Sequence, residues 1–343
     1  MIMPSPTVLP APTCSMSPQL PLSARMAARF FSRALSSFQS SDSKLRVICT
    51  VPPSAPLEGE PAILPPRDRP RILVVLDSSF NPPTRAHLHM ATSAIQELTH
   101  KQGQQQQGAI RLLLLLSVNN ADKGVKPAAF DKRLAMMWAF ARDVQNSLQT
   151  GSREGHVRSG VEALSVDLGL ARVPYFHEKS AALAEDTFYK GERGANSSAE
   201  MEQVFLVGYD TLIRIFNPKY YGPPEPGGQV LAAESSPLRK ALDPFFSRAK
   251  LRVTMRTDDE WGGAEEQVTY LEHLLRAEGL DKASGVENWG SKIEMVEGHK
   301  TGNNVISSTY ARAAAKDQDM DRLDLQVSPE VRWWIEQENL YSE

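Results

Sequence analysis

Residues 72–91, "ILVVLDSSFNPPTRAHLHMA", decide the fold of this chain. The first five residues form a continuous apolar run, which is typical of a strand that is buried on both faces. Pro82 and Pro83 stiffen the turn that follows, because proline fixes its own backbone dihedral and has no N–H to donate. A helical pattern begins near Thr84. A buried strand, a tight turn and a helix together are the building unit of a parallel α/β sheet.

Apolar runs and helical patterns alternate along most of the chain. Strands are predicted over 71–77, 110–118, 161–167, 203–208, 250–255 and 291–296. Helices are predicted over 84–100, 127–148, 307–316 and 329–340. Continuously apolar strands, most of them separated by helices, predict an α/β protein with a doubly wound parallel sheet that is covered on both faces.

Three regions of different composition divide the chain. Residues 1–25 are rich in proline and serine, and we expect them to be disordered. Residues 26–70 are predicted as an extension made of a helix, a short strand "LRVICT" and a Pro-rich linker. Residues 71–343 are predicted as a single α/β domain.

The extension has two interpretations. It is basic, serine-rich and free of acidic residues until Asp42, as a mitochondrial transit peptide is. It also places apolar side chains on one helical face, at Phe30, Phe31, Ala34, Leu35 and Phe38. We expect a helix that docks on the domain, and hence a protein of the cytoplasm and nucleus. Import into mitochondria through residues 26–50 is the alternative.

Composition excludes several classes of function. A formal net charge of −3 over 343 residues argues against a protein that coats nucleic acid. No apolar run reaches the roughly 20 residues of a membrane helix. The net charge and the length of the apolar runs therefore predict neither a nucleic-acid nor a membrane partner. The chain has no Walker A, G-x-G-x-x-G or G-x-S-x-G motif and no Cys/His cluster, so we expect no protein metal site. The oligomeric state stays open.

Two helix starts are candidates for binding an anion. Thr84 and His87 lie one turn apart where free backbone N–H groups and the helix dipole attract phosphate. His89 falls on a different face, so it cannot share a metal with His87. Ser308, Thr309 and Arg312 form a similar group of hydroxyls and a guanidinium late in the chain. The alternative is a pair of ordinary capped helices.

Further candidates follow other predicted strands, because doubly wound folds bind ligands at the carboxyl ends of their strands. Lys123 and Lys126 follow the second strand and are suited to neutralising a polyphosphate, or are simply solvated. Gly208 and Asp210 follow the fourth strand, where glycine permits close approach and a carboxylate holds ribose hydroxyls. A glycine turn with a helix-capping aspartate is the alternative.

Together these segments resemble the nucleotidylyltransferase superfamily. "SFNPPTRAH" resembles its first nucleotide-binding motif, and "ISSTYAR", residues 306–312, resembles the second. "FLVGYDTLIRIFNPKYY" and "VSPEVRWWIEQENLY" are similar to segments of the nicotinamide-nucleotide adenylyltransferases. Order and spacing agree over residues 71–341, and the variant motif looks closest to the fungal branch. The resemblance implies the Rossmann-like nucleotidylyltransferase fold.

The resemblance also implies roles for individual residues. Thr84, His87 and Arg312 would be the catalytic group, with His87 donating to the phosphates of ATP. The ATP and phosphate site would consist of Ser79, Phe80, Lys123, Lys126, Ser308 and Thr309. Ser79 and Phe80 would act through their backbones. Gly208 and Asp210 would contact the nucleotide ribose.

The implied reaction transfers the adenylyl group of ATP to nicotinamide mononucleotide and gives NAD and pyrophosphate. Mg²⁺ would enter with the triphosphate, since this metal keeps waters and substrate oxygens as ligands. Two alternatives remain: another nucleotidylyltransferase, such as a cytidylyltransferase, and a catalytically weak ATP-binding regulatory protein of the same fold.

Two positions depart from the family pattern. Ser78 stands where the first motif has glycine, so the backbone there lacks the freedom of glycine. The segment after the third strand has no tryptophan to stack on a pyridine ring, and Tyr175 or Phe176 would have to replace it.

Overall fold

A computed structural model of the chain describes residues 22–53, 61–102, 110–118, 128–151, 164–191, 200–222, 237–256, 262–277, 289–298 and 305–342. The strands of these ranges are β1 Leu45–Val51, β2 Ile72–Ser78, β3 Ile110–Ser117, β4 Val166–Ala171, β5 Glu202–Gly208, β6 Ala249–Thr254 and β7 Ile293–Val296. The helices are α1 Leu22–Gln39, α2 Arg85–Gln102, α3 Phe130–Gly151, α4 Phe176–Glu185, α5 Tyr209–Ile215, α6 Pro237–Arg248, α7 Ala264–Ala277, α8 Ser308–Lys316, α9 Met320–Gln326 and α10 Pro329–Gln337.

The strands form one sheet in the order β1-β4-β3-β2-β5-β6-β7. Every neighbouring pair from β4 to β7 is parallel. The chain leaves β2 first toward β3 and β4, and later returns to its other side with β5, β6 and β7. This is the Rossmann-like doubly wound order, and its direction reverses between β2 and β5. A ligand crevice is therefore expected at the carboxyl ends of these two strands.

Each face of the sheet packs against its own layer of helices. Val74 and Leu76 of β2 point into a core shared with α1, α2, α3, α8, α9 and α10. Leu73 and Val75 point the opposite way, into a core shared with α4, α5, α6 and α7. This two-sided burial explains why the strands are continuously apolar. The predicted α/β fold class is confirmed.

The N-terminal helix α1 docks on the domain. Phe31 and Phe38 are fully buried, and α1 packs against α3. The guanidinium of Arg172 donates hydrogen bonds of 3.1 Å to the carbonyl oxygens of Phe38 and Gln39, which are the last residues of the helix. The helix begins at Leu22, so residues 22–25 are helical rather than disordered. The expectation for residues 1–21 lies outside the described residues.

The strand after α1 corrects one expectation. β1 joins the sheet antiparallel to β4, so the sheet is mixed at this edge and is not entirely parallel. An edge strand of this kind is common on otherwise parallel sheets. No helix in the described part of the chain is both long and apolar enough to cross a membrane.

The third predicted strand lies further along the chain than expected. The sequence predicts 161–167, whereas β4 runs from Val166 to Ala171. Gly169 makes residues 168–171 resemble a turn. In the structure a Cβ at Gly169 would lie 3.1 Å from Leu113 Cδ1, so the glycine fits a tightly packed position inside the sheet. Residues 161–163 lie outside the described ranges.

The last helix is anchored by a buried carboxylate. The hydroxyl of Ser328, the residue before α10, donates a 2.5 Å hydrogen bond to Asp143 of α3. Burial raises the pKa of Asp143 to about 6, while the hydrogen bond from Ser328 opposes this effect. Asp143 therefore fixes the start of α10 and, through it, the C-terminal segment that reaches the site.

Candidate active site

A cleft of about 340 Å³ opens at the carboxyl ends of β2, β5 and β6. The first turns of α2 and α8 also line it, so two helix N-termini and the switch point of the sheet meet there. The predicted site residues in its lining are Ser79, Thr84, His87, Gly208, Asp210, Ser308, Thr309 and Arg312. The cleft therefore brings together candidates from three separate parts of the sequence.

Phe80 anchors the turn between β2 and α2 in the core of the domain. This residue has a φ of 43°, in the left-handed region that non-glycine residues rarely adopt. Its ring is fully buried, with centroids 5.5 Å from the ring of His87 and 6.3 Å from that of Phe140. Burial of the ring offsets the backbone strain. Phe80 does not line the cleft, and it supports the ring of His87 from the core side.

Hydrogen bonds fix the tautomer of His87. The backbone N–H of Thr84 lies 3.0 Å from Nδ1, and Thr84 Oγ1 lies 2.8 Å from the same nitrogen. A backbone N–H can only donate, so Nδ1 is the acceptor and carries no proton. The proton of the neutral ring is then on Nε2, which lies 2.9 Å from the hydroxyl oxygen of Ser78. Nε2–H therefore donates to Ser78.

The environment of His87 favours the neutral ring. One part of the residue is open to the cleft, but the burial of the imidazole lowers its pKa, and the positive charge of Arg256 lowers it further, to about 4. Thr84 is almost fully buried and orients the ring. His87 is thus a fixed neutral donor.

The start of α8 is bound directly to the turn after β2. The Ser308 hydroxyl donates a 2.8 Å hydrogen bond to the carbonyl oxygen of Pro82. The Arg312 guanidinium donates to the carbonyl oxygen of Asn81 at 2.8 Å and to the Thr309 hydroxyl at 3.2 Å. Segments more than 220 residues apart therefore form one rigid unit.

Ser307 caps α8, as the alternative interpretation expected. Its hydroxyl accepts a 3.2 Å hydrogen bond from the N–H of Tyr310. Gln326 of α9 holds the approach to this cap, since its side chain accepts from the N–H of Ser307 and donates to the carbonyl oxygen of Val305. Capping and ligand binding are compatible here, because Ser308, Thr309 and Arg312 still line the cleft.

Gly208 and Asp210 lie together where β5 leads into α5. Gly208 is the residue before α5, and a Cβ added to it would lie 2.8 Å from Asp210 Oδ1. Asp210 Oδ1 is also 3.4 Å from the guanidinium of Arg256. The glycine therefore leaves room for the position of this carboxylate.

Arg256 is a site residue that the sequence did not identify. It follows β6 and lines the cleft beside His87 and Asp210. The side chain of Gln267 on α7 fixes its backbone, accepting from its N–H at 3.0 Å and donating to its carbonyl oxygen at 2.9 Å. Its position after a predicted strand was a signal, but a single arginine after a strand is too common to stand out.

A buried lysine that the sequence did not single out lies at the end of β2. Lys123 and Lys126 lie outside the described residues. Lys179 of α4 forms a buried ion pair with Asp77 at the end of β2, and its ammonium group lies 5.1 Å from the ring centroid of Phe176. The Asp77 carboxylate is therefore neutralised by the protein itself.

The two candidates for ring stacking differ in their surroundings. Phe176 packs edge-on against Phe205 of the core, with ring centroids 5.7 Å apart. Tyr175 stacks on His177 at 5.7 Å with an interplanar angle of 8°, and it lies 6.1 Å from the ring of Tyr220. Of the two, Tyr175 belongs to an aromatic cluster outside the sheet core.

His89 also lines the cleft, although its spacing from His87 predicts a different helix face. Among the described residues, no group of three or more His, Cys, Asp or Glu side chains is arranged to hold a metal ion. The cationic groups that line the described part of the cleft are Arg256 and Arg312. Such a lining suits a polyphosphate.

No protein-family model matches the chain. Over 250 residues, however, the chain is 32% identical to a Schizosaccharomyces pombe protein named "Putative nicotinamide mononucleotide adenylyltransferase". The match covers 72% of this chain and 76% of that protein.

Two solved structures show a weaker likeness. A Plasmodium falciparum nicotinic acid mononucleotide adenylyltransferase complexed with NaAD has a TM-score of 0.38 at 14% identity, with 79% of this chain and 98% of that chain covered. Thermotoga maritima TmcAL bound with alpha-thio ATP has a TM-score of 0.32 at 14% identity, with 78% and 56% covered. The assignment rests on the S. pombe relative: the chain belongs to the nicotinamide mononucleotide adenylyltransferase family.

Proposed function

We propose that the chain transfers the adenylyl group of ATP to nicotinamide mononucleotide and releases NAD and pyrophosphate. The observation that carries this proposal is the union of the two phosphate-binding segments in one cleft. The start of α2 and the start of α8 both face it, and Ser308 and Arg312 are bonded to the turn before α2. Family membership supports the same reaction.

The chemistry needs no activated protein nucleophile. A phosphate oxygen of nicotinamide mononucleotide forms a bond to the α-phosphorus of ATP. The bond from that phosphorus to the oxygen bridging to the β-phosphate breaks, and its electron pair leaves with pyrophosphate. Catalysis then consists of positioning and of stabilising negative charge on the phosphates.

Each side chain of the cleft has a role that fits its geometry. We assign His87 as a neutral donor of the ATP phosphate site, with its Nε2–H directed to Ser78 and its ring held in place by Thr84. Ser308, Thr309 and Arg312 would bind the β- and γ-phosphates. Arg256 adds a second guanidinium beside His87.

We further propose that Gly208 and Asp210 contact ribose, and that the backbone of Ser79 meets the nucleotide. Asp77 pairs with Lys179, and Asp210 lies beside Arg256, so the described carboxylates of the cleft form no metal cage. This arrangement fits a Mg²⁺ ion that is held by the triphosphate and water. Tyr175 is the proposed partner of the pyridine ring.

The test is to incubate the purified full-length chain with ATP, nicotinamide mononucleotide and Mg²⁺ and to measure NAD. We expect NAD, and a loss of about 10²-fold or more in kcat for His87→Ala, as for the removal of one transition-state donor. His100→Ala, at an exposed position of the same helix, is the matched control.

Three outcomes would contradict the proposal. The first is that no NAD forms. The second is that CTP is preferred in a nucleotide panel scored by pyrophosphate release, which would indicate a cytidylyltransferase. The third is that ATP binds with no release of pyrophosphate, which would indicate a regulatory protein.

A further inference from the structure

Ser78 occupies the place where the first motif of the superfamily has glycine, and its side chain contacts His87 in the lining of the cleft. It is the last residue of β2 and is partly exposed in the lining of the cleft. Its hydroxyl oxygen is 2.9 Å from Nε2 of His87. A glycine at this position would leave the imidazole without this partner.

The direction of the hydrogen bond follows from the other side of the ring. Nδ1 is occupied as an acceptor by the N–H of Thr84, so Nε2–H donates and the Ser78 oxygen accepts. The Ser78 O–H is then directed away from the ring. Within the described residues this hydroxyl has no second hydrogen-bond partner, and it lines the cleft.

We propose that Ser78 is a catalytic donor in this chain, and that its hydroxyl accepts from His87 Nε2–H and donates to a phosphate oxygen of bound ATP. The inference rests on the proposed function, since it names a further group for the same reaction. No proton leaves either residue, because the contact of His87 with Ser78 and the contact of Ser78 with the phosphate are both hydrogen bonds. His87 acts through the hydroxyl, so the two residues work in series.

A donor chain of this kind is physically reasonable. A hydroxyl that accepts from an N–H becomes a better donor itself, since hydrogen bonds in a chain polarise one another. The ring is fixed at both nitrogens and lies 5.5 Å from the ring of Phe80, centroid to centroid, so the hydroxyl is oriented before ATP arrives. A preorganised donor costs little reorganisation during the reaction.

The opposite hypothesis is that Ser78 only obstructs His87. The two hypotheses are separated by Ser78→Ala, which keeps most of the side-chain volume and removes the hydroxyl. The donor hypothesis predicts that this variant loses kcat by about 10²-fold or more, at least as much as His87→Ala, because Ser78 is the group that contacts the phosphate. A kcat equal to or above that of the wild type would overturn it.

A double-mutant cycle tests the series arrangement. If His87 acts through Ser78, the Ser78→Ala/His87→Ala double variant should lose no more activity than the more impaired of the two single variants. Multiplied losses would show independent actions and would contradict the proposal. Ser93→Ala is the matched control, because Ser93 is on α2 and its hydroxyl bonds the carbonyl oxygen of Met90 in the same helix.

Binding of a non-hydrolysable ATP analogue separates this inference from the proposed function. We expect the Kd of Ser78→Ala for adenosine 5′-(α,β-methylene)triphosphate to rise by about 10-fold, whether or not the wild type makes NAD. If the wild type binds the analogue through Ser78 but makes no NAD, the proposed function fails and the phosphate contact stands. If the wild type makes NAD and Ser78→Ala changes neither Kd nor kcat, the Ser78 inference fails alone.

Discussion

The hydroxyl of Tyr341 donates a 2.9 Å hydrogen bond to the side-chain oxygen of Asn81, across 260 residues of sequence. Both side chains are buried. The backbone carbonyl oxygen of Asn81 accepts a separate hydrogen bond from the guanidinium of Arg312. The turn before α2 is therefore held by the C-terminal segment and by α8 at once, and the geometry of the phosphate site depends on parts of the chain far from the first motif.

Tyr341→Phe should loosen this turn. The change leaves the buried oxygen of Asn81 without a partner, which costs about 1–3 kcal/mol in the free energy of unfolding. We expect a lower midpoint in denaturant and a reduced kcat. Tyr310→Phe, at an exposed position of α8, is the control and should change little. An unchanged midpoint for Tyr341→Phe would show that the bond is not important for stability.

His87 should make the protein less stable in acid. Its pKa is lowered to about 4 in the folded state from an ordinary value of 6.5. The stabilisation is therefore present above pH 6.5 and is lost as pH falls through 4, because the unfolded chain binds the proton first. The full loss in the free energy of unfolding is about 3 kcal/mol.

The free energy of unfolding, measured between pH 7 and pH 4 for the wild type and His87→Gln, tests this expectation. The stability of the wild type should fall more steeply than that of the variant. Parallel curves would show that His87 titrates normally.

Asp143 should have the opposite effect. The pKa of Asp143 is raised to about 6 from 3.8. Its contribution to the free energy of unfolding is therefore complete below pH 3.8 and is lost as pH rises through 6. Asp143→Asn removes this titration. The stability of the variant relative to the wild type should therefore increase between pH 4 and pH 7, by up to about 3 kcal/mol. Thermal unfolding at several pH values measures the difference, and a decrease over this interval would contradict the expectation.

Gly208→Ala should impair binding without unfolding the protein. The new Cβ would approach Asp210 Oδ1 to 2.8 Å, and the flexible carboxylate would move away. We expect higher KM values for ATP and nicotinamide mononucleotide with a nearly unchanged melting temperature. Gly263→Ala is the control, because no atom lies within 4 Å of its added Cβ. Equal KM values in both variants would remove Asp210 from the binding site.

Docking of α1 has consequences for stability and localisation. Phe31→Ala should cost about 3–5 kcal/mol, since its ring is fully buried, whereas Phe30→Ala at a partly exposed position should cost less. Chemical denaturation measures both changes, and equal costs would argue against the observed docking.

We propose that the protein is cytoplasmic and nuclear, with α1 retained. Mitochondrial import of a reporter fused to residues 1–50 would contradict this.

The sequence by itself determined the strands other than β4, the long helices α1, α2 and α3, and the edge of the sheet where the site lies. Continuous apolar runs occur when both faces of a strand are buried, and this property is local. Parallel strands end at the same edge, so residues following different strands could be grouped without knowing their contacts. His87 and Gly208 were placed at one edge in this way, whereas Arg312 was joined to them by the resemblance to the nucleotidylyltransferases; all three line the cleft.

Only the tertiary structure decided which of these groups touch. The bonds of Tyr341 to Asn81, of Lys179 to Asp77 and of His87 to Ser78 depend on strand order, helix packing and backbone turns. Periodicity carries no information on these features. The antiparallel position of β1 and the role of Arg256 were missed for the same reason, since each is defined by a neighbour distant in sequence. Local pattern sets the elements, whereas non-local packing sets the charges and hydrogen bonds that they present to a ligand.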